Sequence, residues 1–192
     1  MKDIPKFALT LLIVTLIASG SLAWVNNITK PKILKLQTQD LEHGLLNVLP
    51  AARKGIIAPV KKQNKIIFYK GYSDRVKKHL IGYAFLVPAS GYSSTIRTLV
   101  GVDTSGIIVA IQILSQQETP GLGTKCQEIR SGETKPWFQE QFVGKQCTNI
   151  SVNKDGGEIA ALTGATITSR AITNAIADSS KSVFNIINRK IK

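Results

Sequence analysis

The stretch LTGATITSR, residues 162–170, gathers the hydroxyls of Thr163, Thr166, Thr168 and Ser169 around Gly164 and Ala165, just ahead of a helical pattern. A helix N-terminus leaves backbone N–H groups without acceptors and carries the positive end of the helix dipole, so it binds phosphate well. Small residues at 164 and 165 would leave room for such a group, and the hydroxyls would add donors. The plain alternative is a Ser or Thr helix cap, which needs only one hydroxyl. A second stretch, QQETPGLGTK at 116–125, places Pro120, Gly121 and Gly123 in a tight turn where backbone can come close to a ligand. Glu118 and Thr119 would project an acceptor and a hydroxyl beside it. Here the plain alternative is an ordinary glycine turn.

Other chemistries lack their residues. There is no GxGxxG and no GxxxxGK[ST], which excludes a dinucleotide fingerprint and a P-loop. His43 and His79 stand alone, and no Ser-His-Asp arrangement can be assembled. The two stretches therefore point to binding rather than to catalysis by side chains.

Both stretches need elements to position them. LQTQDLEHGLLNVL at 36–49 spaces Leu36, Leu41, Leu45 and Leu49 as a helix ending before Pro50. KIIFYKG and LIGYAFLV read as strands, rich in β-branched and aromatic residues. TIRTLVGVDTSGIIVAIQIL, residues 95–114, predicts a hairpin turning at Asp103–Gly106. GETKPWFQEQF predicts a short helix. From Ile167 onward Ile172, Ile176, Val183 and Ile187 fall near one helical face. Strands in the middle with helices at both ends make an α+β domain.

The N-terminus reads as an anchor. FALTLLIVTLIASGSLAWV is uncharged, and no charge occurs between Lys6 and Lys30. As a helix that span covers roughly 34 Å, enough to cross a bilayer, with Trp24 placed as an interfacial residue. The alternative is a cleaved leader ending at Ala23. Lysines flank both ends of the span, Lys2 and Lys6 against Lys30, Lys32 and Lys35, so charge bias gives no orientation. The expected division is a flank at 1–6, a transmembrane anchor at 7–29 and one domain at 30–192.

The chain of 192 residues holds 25 Lys and Arg against 12 acids, a net charge of +13. The basic residues are scattered, aromatics are few, and no zinc-finger, helix-turn-helix or RNA-binding signature is present, which argues against nucleic acid. The field suits anionic lipid, an acidic partner or an anionic ligand. Cys126 and Cys147 form no CxxC pair and have no neighbouring histidine, so a metal site is not expected. Two states stay open for them, a disulfide in an oxidising compartment or two free thiols.

Taken together, ETPGLGTK and TGATITS behind a single anchor resemble the FMN-binding domain of membrane electron-transfer complexes. The chain resembles in particular the G subunit of the Rnf ion-translocating ferredoxin:NAD oxidoreductase. The likeness extends to the anchor MKDIPKFALTLLIVTLIASG and the hairpin GYSSTIRTLVGVDTSGIIVAIQIL. It implies covalent FMN, with a flavin transferase esterifying the phosphate to Thr166. Thr163, Gly164 and Ala165 would position the phosphate arm, and Thr168 and Ser169 would contact it. Glu118, Thr119, Gly121, Leu122 and Gly123 would line the flavin ring, with Tyr92 and Lys125 as neighbours. The implied partners are the other membrane subunits, the transferase and the lipid bilayer. The implied place is the inner membrane, single-pass, with the flavin domain on the extracytoplasmic side.

Two positions depart from that pattern. Ala160 stands where an acidic residue usually precedes the motif, and Gln116 where a histidine is frequent. The C subunit of the sodium-translocating NADH:quinone reductase shares the domain and is a second reading, though the shorter chain here favours the Rnf subunit. A membrane-tethered interaction module without cofactor and a secreted FMN protein are further alternatives.

Overall fold

The structure, a computed structural model, describes residues 4–63 and 65–191. The first half of the expected flank, with Lys2, lies outside the described residues. The chain divides into two compact units, Met1–Asp40 and Leu41–Lys192.

The described residues of the first unit all belong to helix α1, which runs from Ile4 to Val48. The span expected at 7–29 and the helix expected at 36–49 are thus one continuous element. Pro31 lies inside it. Proline removes one hydrogen bond and bends a helix more readily than it ends one when neighbouring turns are strong. The most apolar window of α1 has a mean hydropathy of 2.1 and buries nothing within the protein, so by length and composition it can cross a bilayer. Its hydroxyls turn back onto the preceding turn, Thr10 to Lys6 O, Thr15 to Leu11 O and Ser21 to Ile17 O. Hydrocarbon demands that satisfaction, since it offers no other partner.

The second unit is an antiparallel sheet of five strands in sequential order. They are β1 (Ile56–Lys62), β2 (Lys65–Tyr72), β3 (Leu80–Ser90), β4 (Thr95–Asp103) and β5 (Ile108–Ser115). The expected hairpin is β4–β5, closed by the Asp103 carboxylate accepting the N–H groups of Ser105 and Ile107, both at 2.8 Å. Strand β1 was not expected, because Pro59 interrupts its pattern. It lies at the edge of the sheet, where a missing donor is tolerated. Of GETKPWFQEQF only Trp137–Glu140 is helical, as α2.

Alternation along the strands buries both faces of the sheet. Phe68, Phe85, Ile96 and Val100 join Ile172, Ile176, Val183 and Ile187 of helix α3 (Thr166–Ile191) on one side. Tyr69, Ala84 and Leu99 meet Leu45, Val48 and Leu49 on the other. The antiparallel sheet, the flanking helices and the buried face of the last helix match the expectation. On the second face α1 comes close at Gly101, since a Cβ there would stand 2.2 Å from the carbonyl oxygen of Val48. Gly101→Ala is expected to cost about 3 kcal/mol by forcing α1 off the sheet. Chemical denaturation of the purified chain measures this, and an unchanged midpoint would refute the close approach.

Candidate functional site

The two expected loops meet at one end of the sheet. LTGA forms a turn, with the Ala165 N–H donating to the Leu162 carbonyl at 3.0 Å. Gly164 is its third residue, at φ +77°, the left-handed value that a type II turn requires there and that glycine adopts without strain. A Cβ at that position would also stand 2.8 Å from Leu122 of the other loop. The turn delivers the chain to α3, whose first residue is Thr166.

The residue at the cap position is therefore Ala165, which has no side-chain acceptor. The plain helix-cap alternative needs a hydroxyl there. Among the described residues, the N–H groups of Thr166, Ile167 and Thr168 have no acceptor, and neither does the Thr166 hydroxyl have a partner. Ser169 is different. Its buried hydroxyl accepts from Leu162 N–H at 2.9 Å and donates to the Ala165 carbonyl at 3.0 Å. Both of its bonds are used inside the turn, so it staples the turn to the helix instead of reaching a ligand.

Glu118 joins the loops. Its side chain is only 4 % exposed. One carboxylate oxygen accepts from the Thr168 hydroxyl at 2.6 Å and the Tyr92 N–H at 3.1 Å. The other accepts from the N–H groups of Ser93 and Ser94 at 3.1 and 3.0 Å, and from the Ser94 hydroxyl at 2.9 Å. Burial on its own would raise the carboxyl's pKa. The bonds from Thr168, Ser94, Ser93 and Tyr92 outweigh it and hold the group at about 2. Gly123 packs directly on this side chain, since a Cβ there would be 2.6 Å from Glu118 Cβ. A run of glutamines steadies the approach. Gln116 accepts from Glu118 N–H and donates to Gln127, and Gln127 donates to the Ile113 carbonyl of β5.

Between the loops lies a cleft of about 710 Å³, within the ~300–1,000 Å³ usual for small-molecule sites. Tyr92, Glu118, Thr119, Leu122, Gly123, Gly164, Ala165, Thr166, Ile167 and Thr168 line it. Thr163, Gly121, Lys125 and Ser169 are not among its lining residues. Thr163 is exposed in the turn, Gly121 is exposed and donates to the Thr124 hydroxyl, and Lys125 lies in the 3-10 turn Gly123–Gln127. Ile167, Ser93 and Ser94 were not anticipated. The two serines lie in the short segment between β3 and β4, and hydroxyls there were the available signal. A second hollow, of about 690 Å³, mixes both charge signs around Trp137. The Arg130 guanidinium already covers that ring at 3.6 Å.

Ala160, the departure noted above, is held by its backbone. Its N–H donates to Gln141 Oε1 at 2.7 Å, and Gln141 Nε2 donates to its carbonyl. The nearest upstream acid, Glu158, is paired with Lys145. Of the two states left open for the cysteines, the structure has the free thiols, both buried. Burial, then the Glu118 charge, pushes the Cys126 thiol up to about 12, and burial raises Cys147 as well. Neither is a reactive thiolate.

A family model described as FMN-binding domain matches residues 91–188, which contain both loops and most of α3. This chain belongs to that family. The G subunit of the Na+-translocating ferredoxin:NAD+ oxidoreductase complex of Acetobacterium woodii is 30% identical, over 91% of this chain and 89% of that one. The G subunit of the ion-translocating oxidoreductase complex of Pasteurella multocida is 30% identical, over 96% and 95%. Its counterpart in Salmonella typhi is 31% identical, over 92% and 89%. Within the FMN-binding domain family the chain is thus of the same kind as these G subunits. The crystal structure of Shewanella oneidensis NqrC is similar at 21% identity and a TM-score of 0.43, over 63% of this chain and 61% of that one.

The residues present fit an FMN. Leu122, Ile167 and Tyr92 offer apolar walls to a flat ring system, and the three acceptor-free N–H groups at the start of α3 suit its phosphate.

The Glu118 clasp predicts an acid sensitivity. Its carboxyl is depressed in the fold from about 4.5 to about 2. The stabilisation, ~3 kcal/mol by linkage, is complete above pH ~4.5 and is lost as pH falls toward ~2. Glu118→Gln, which sets an amide nitrogen against converging donors, is expected to lose a similar amount at pH 7 and to flatten this profile. Asp155 and Glu158, lowered by hydrogen bonds from Arg170 and Lys145, would leave a residual slope. Denaturant midpoints against pH for both proteins provide the check. Parallel profiles would show that Glu118 carries no such load.

Proposed function

We propose that this chain is the electron-carrying G subunit of an Rnf-type ion-translocating oxidoreductase complex, with FMN joined through its phosphate to Thr166. The observation that carries this reading is the state of the Thr166 hydroxyl. It stands at the first position of α3, borders the cleft, and has no hydrogen-bond partner among the described residues. Attachment forms a P–O bond at Oγ. The hydroxyl proton is lost, and the donor's leaving group departs with its electron pair. Family membership and the names of the relatives support the same reading.

FMN, when bound, supplies reversible electron transfer, which this set of side chains lacks. The chain's own residues bind and orient. Gly164 and Ala165 leave room for the phosphate arm, and the N–H groups at 166–168 neutralise its charge. Leu122, Thr119, Gly123, Tyr92 and Ile167 flank the ring. Glu118 lines the cleft, but its carboxylate serves the clasp rather than the flavin. Linkage through the phosphate leaves the ring system unsubstituted and prevents loss of the cofactor from a domain on the extracytoplasmic side. The anchor keeps the carrier beside the other membrane subunits, and a flavin transferase matures it. The span carries no charge between Lys6 and Lys30, so an ion path belongs to other subunits.

In-gel flavin fluorescence after denaturing electrophoresis tests this, with each protein coexpressed with the transferase. Wild type and Thr166→Ser are expected to give a fluorescent band, and Thr166→Ala a dark one. A bright Thr166→Ala band would move the linkage to another hydroxyl. A dark wild-type band would remove the covalent carrier.

A further inference from the structure

The cationic residues are unevenly distributed. Residues 53–79 hold nine Lys and Arg against one acid, Asp74. Among the described residues none of the nine is in an ion pair. Elsewhere in the domain Lys135, Lys145, Arg170 and Lys181 each face a carboxylate. The nine fall mainly into two groups. Arg53, Lys54, Arg75, Lys77 and Lys78 lie where β1 begins and β2 ends, and Lys61, Lys62 and Lys65 lie at the opposite end, about the hairpin that joins the two strands. The hairpin holds a conflict, since Lys62 stands directly across from Lys65 in the register. Like charges so placed destabilise a ladder. Beside them the aliphatic Ile66 is 47 % exposed.

Strand register locates this hairpin. Tyr69 pairs with Ala84, and Ala84 with Gly101, so Lys65 stands near the level of Arg97, toward the Thr95 end of β4. Tyr92 and the cleft lie beyond that same end. Within this unit, Gly44 touches Leu99 while Val48 touches Gly101. Residues 44–48 therefore run along β4 in the direction from Thr95 toward Asp103.

We propose that Lys61, Lys62 and Lys65, with Ile66 beside them, contact anionic lipid headgroups at the surface of the membrane that holds the anchor. Lysine is depleted from protein–protein interfaces, which favour aromatic residues and arginine, and this hairpin end offers lysines and one aliphatic side chain. An anionic surface attracts each lysine within a Debye length and relieves the Lys62–Lys65 repulsion. Because the chain carries its own anchor, the bilayer is present at high effective concentration and a weak contact suffices. The contact does not depend on the flavin. It would fix which end of the domain, and hence which face of the cleft, is held near the membrane.

The full chain in lipid nanodiscs provides the test, with a polarity-sensitive dye on Ile66→Cys or, as a control at the other end of the strands, on Val76→Cys. The native thiols are buried, so the introduced cysteine takes the label. The expected result is a blue shift at position 66 in phosphatidylcholine–phosphatidylglycerol discs, absent in phosphatidylcholine alone. High salt and Lys61→Glu/Lys62→Glu/Lys65→Glu should each abolish it, and position 76 should stay unshifted. Equal emission in both lipids would overturn the proposal, and so would a shift that survives charge reversal or appears at 76 instead. A shift that appears only when the remaining subunits of the complex are added would assign the surface to an acidic protein and overturn the lipid contact.

Discussion

One buried carboxylate holds the functional end of this domain together. Glu118 leaves β5 on a glutamine-braced segment and gathers donors from three places: the backbone of 92–94, the Ser94 hydroxyl, and Thr168 on α3. A carboxylate this deeply buried is tolerated only when donors replace its water. Here they do so well enough to keep it ionised far below its ordinary range. The same bonds bring two loops about fifty residues apart into one cleft. Each loop alone would be an ordinary turn.

The rest of the domain supplies the rigidity that the clasp needs. The sheet is covered on one face by α3 and on the other by the last turns of α1, so the ends of β3, β4 and β5 cannot drift relative to α3. Thr168 sits in the first turn of α3, and that helix is tied to the sheet by Ile172 and Ile176 within the next two turns. A cleft held by so rigid a frame changes little when electrons arrive or leave, as a carrier requires.

Much of the fold was legible because it rests on local pattern. The alternation of β3 to β5 and the 3.6-residue spacing of Ile172, Ile176, Val183 and Ile187 each announce their element. The failures have physical causes. Pro59 hides β1, since only its place at the sheet edge makes a proline acceptable there. The span and the helix after it were expected as separate elements, yet α1 runs through Pro31 and joins them. The site was legible as two loops and a phosphate-ready helix start. Glu118 was singled out, but as a ring contact, because its donors at 92–94 come from a third segment that no spacing links to it.

The hydroxyls of TGATITS show the limit most sharply, because in sequence they are nearly equivalent. In the fold each has a separate role. Thr163 is exposed in the turn, Thr168 is committed to Glu118, and Ser169 is committed to the turn itself. Modifying Thr168 or Ser169 would break a bond that the cleft depends on, at a buried position. Thr166 alone combines a hydroxyl free of structural duty, a place on the cleft, and adjacent N–H groups lacking acceptors. A covalent group placed there removes nothing the fold relies on, and gives the helix N-terminus the anion that its dipole favours.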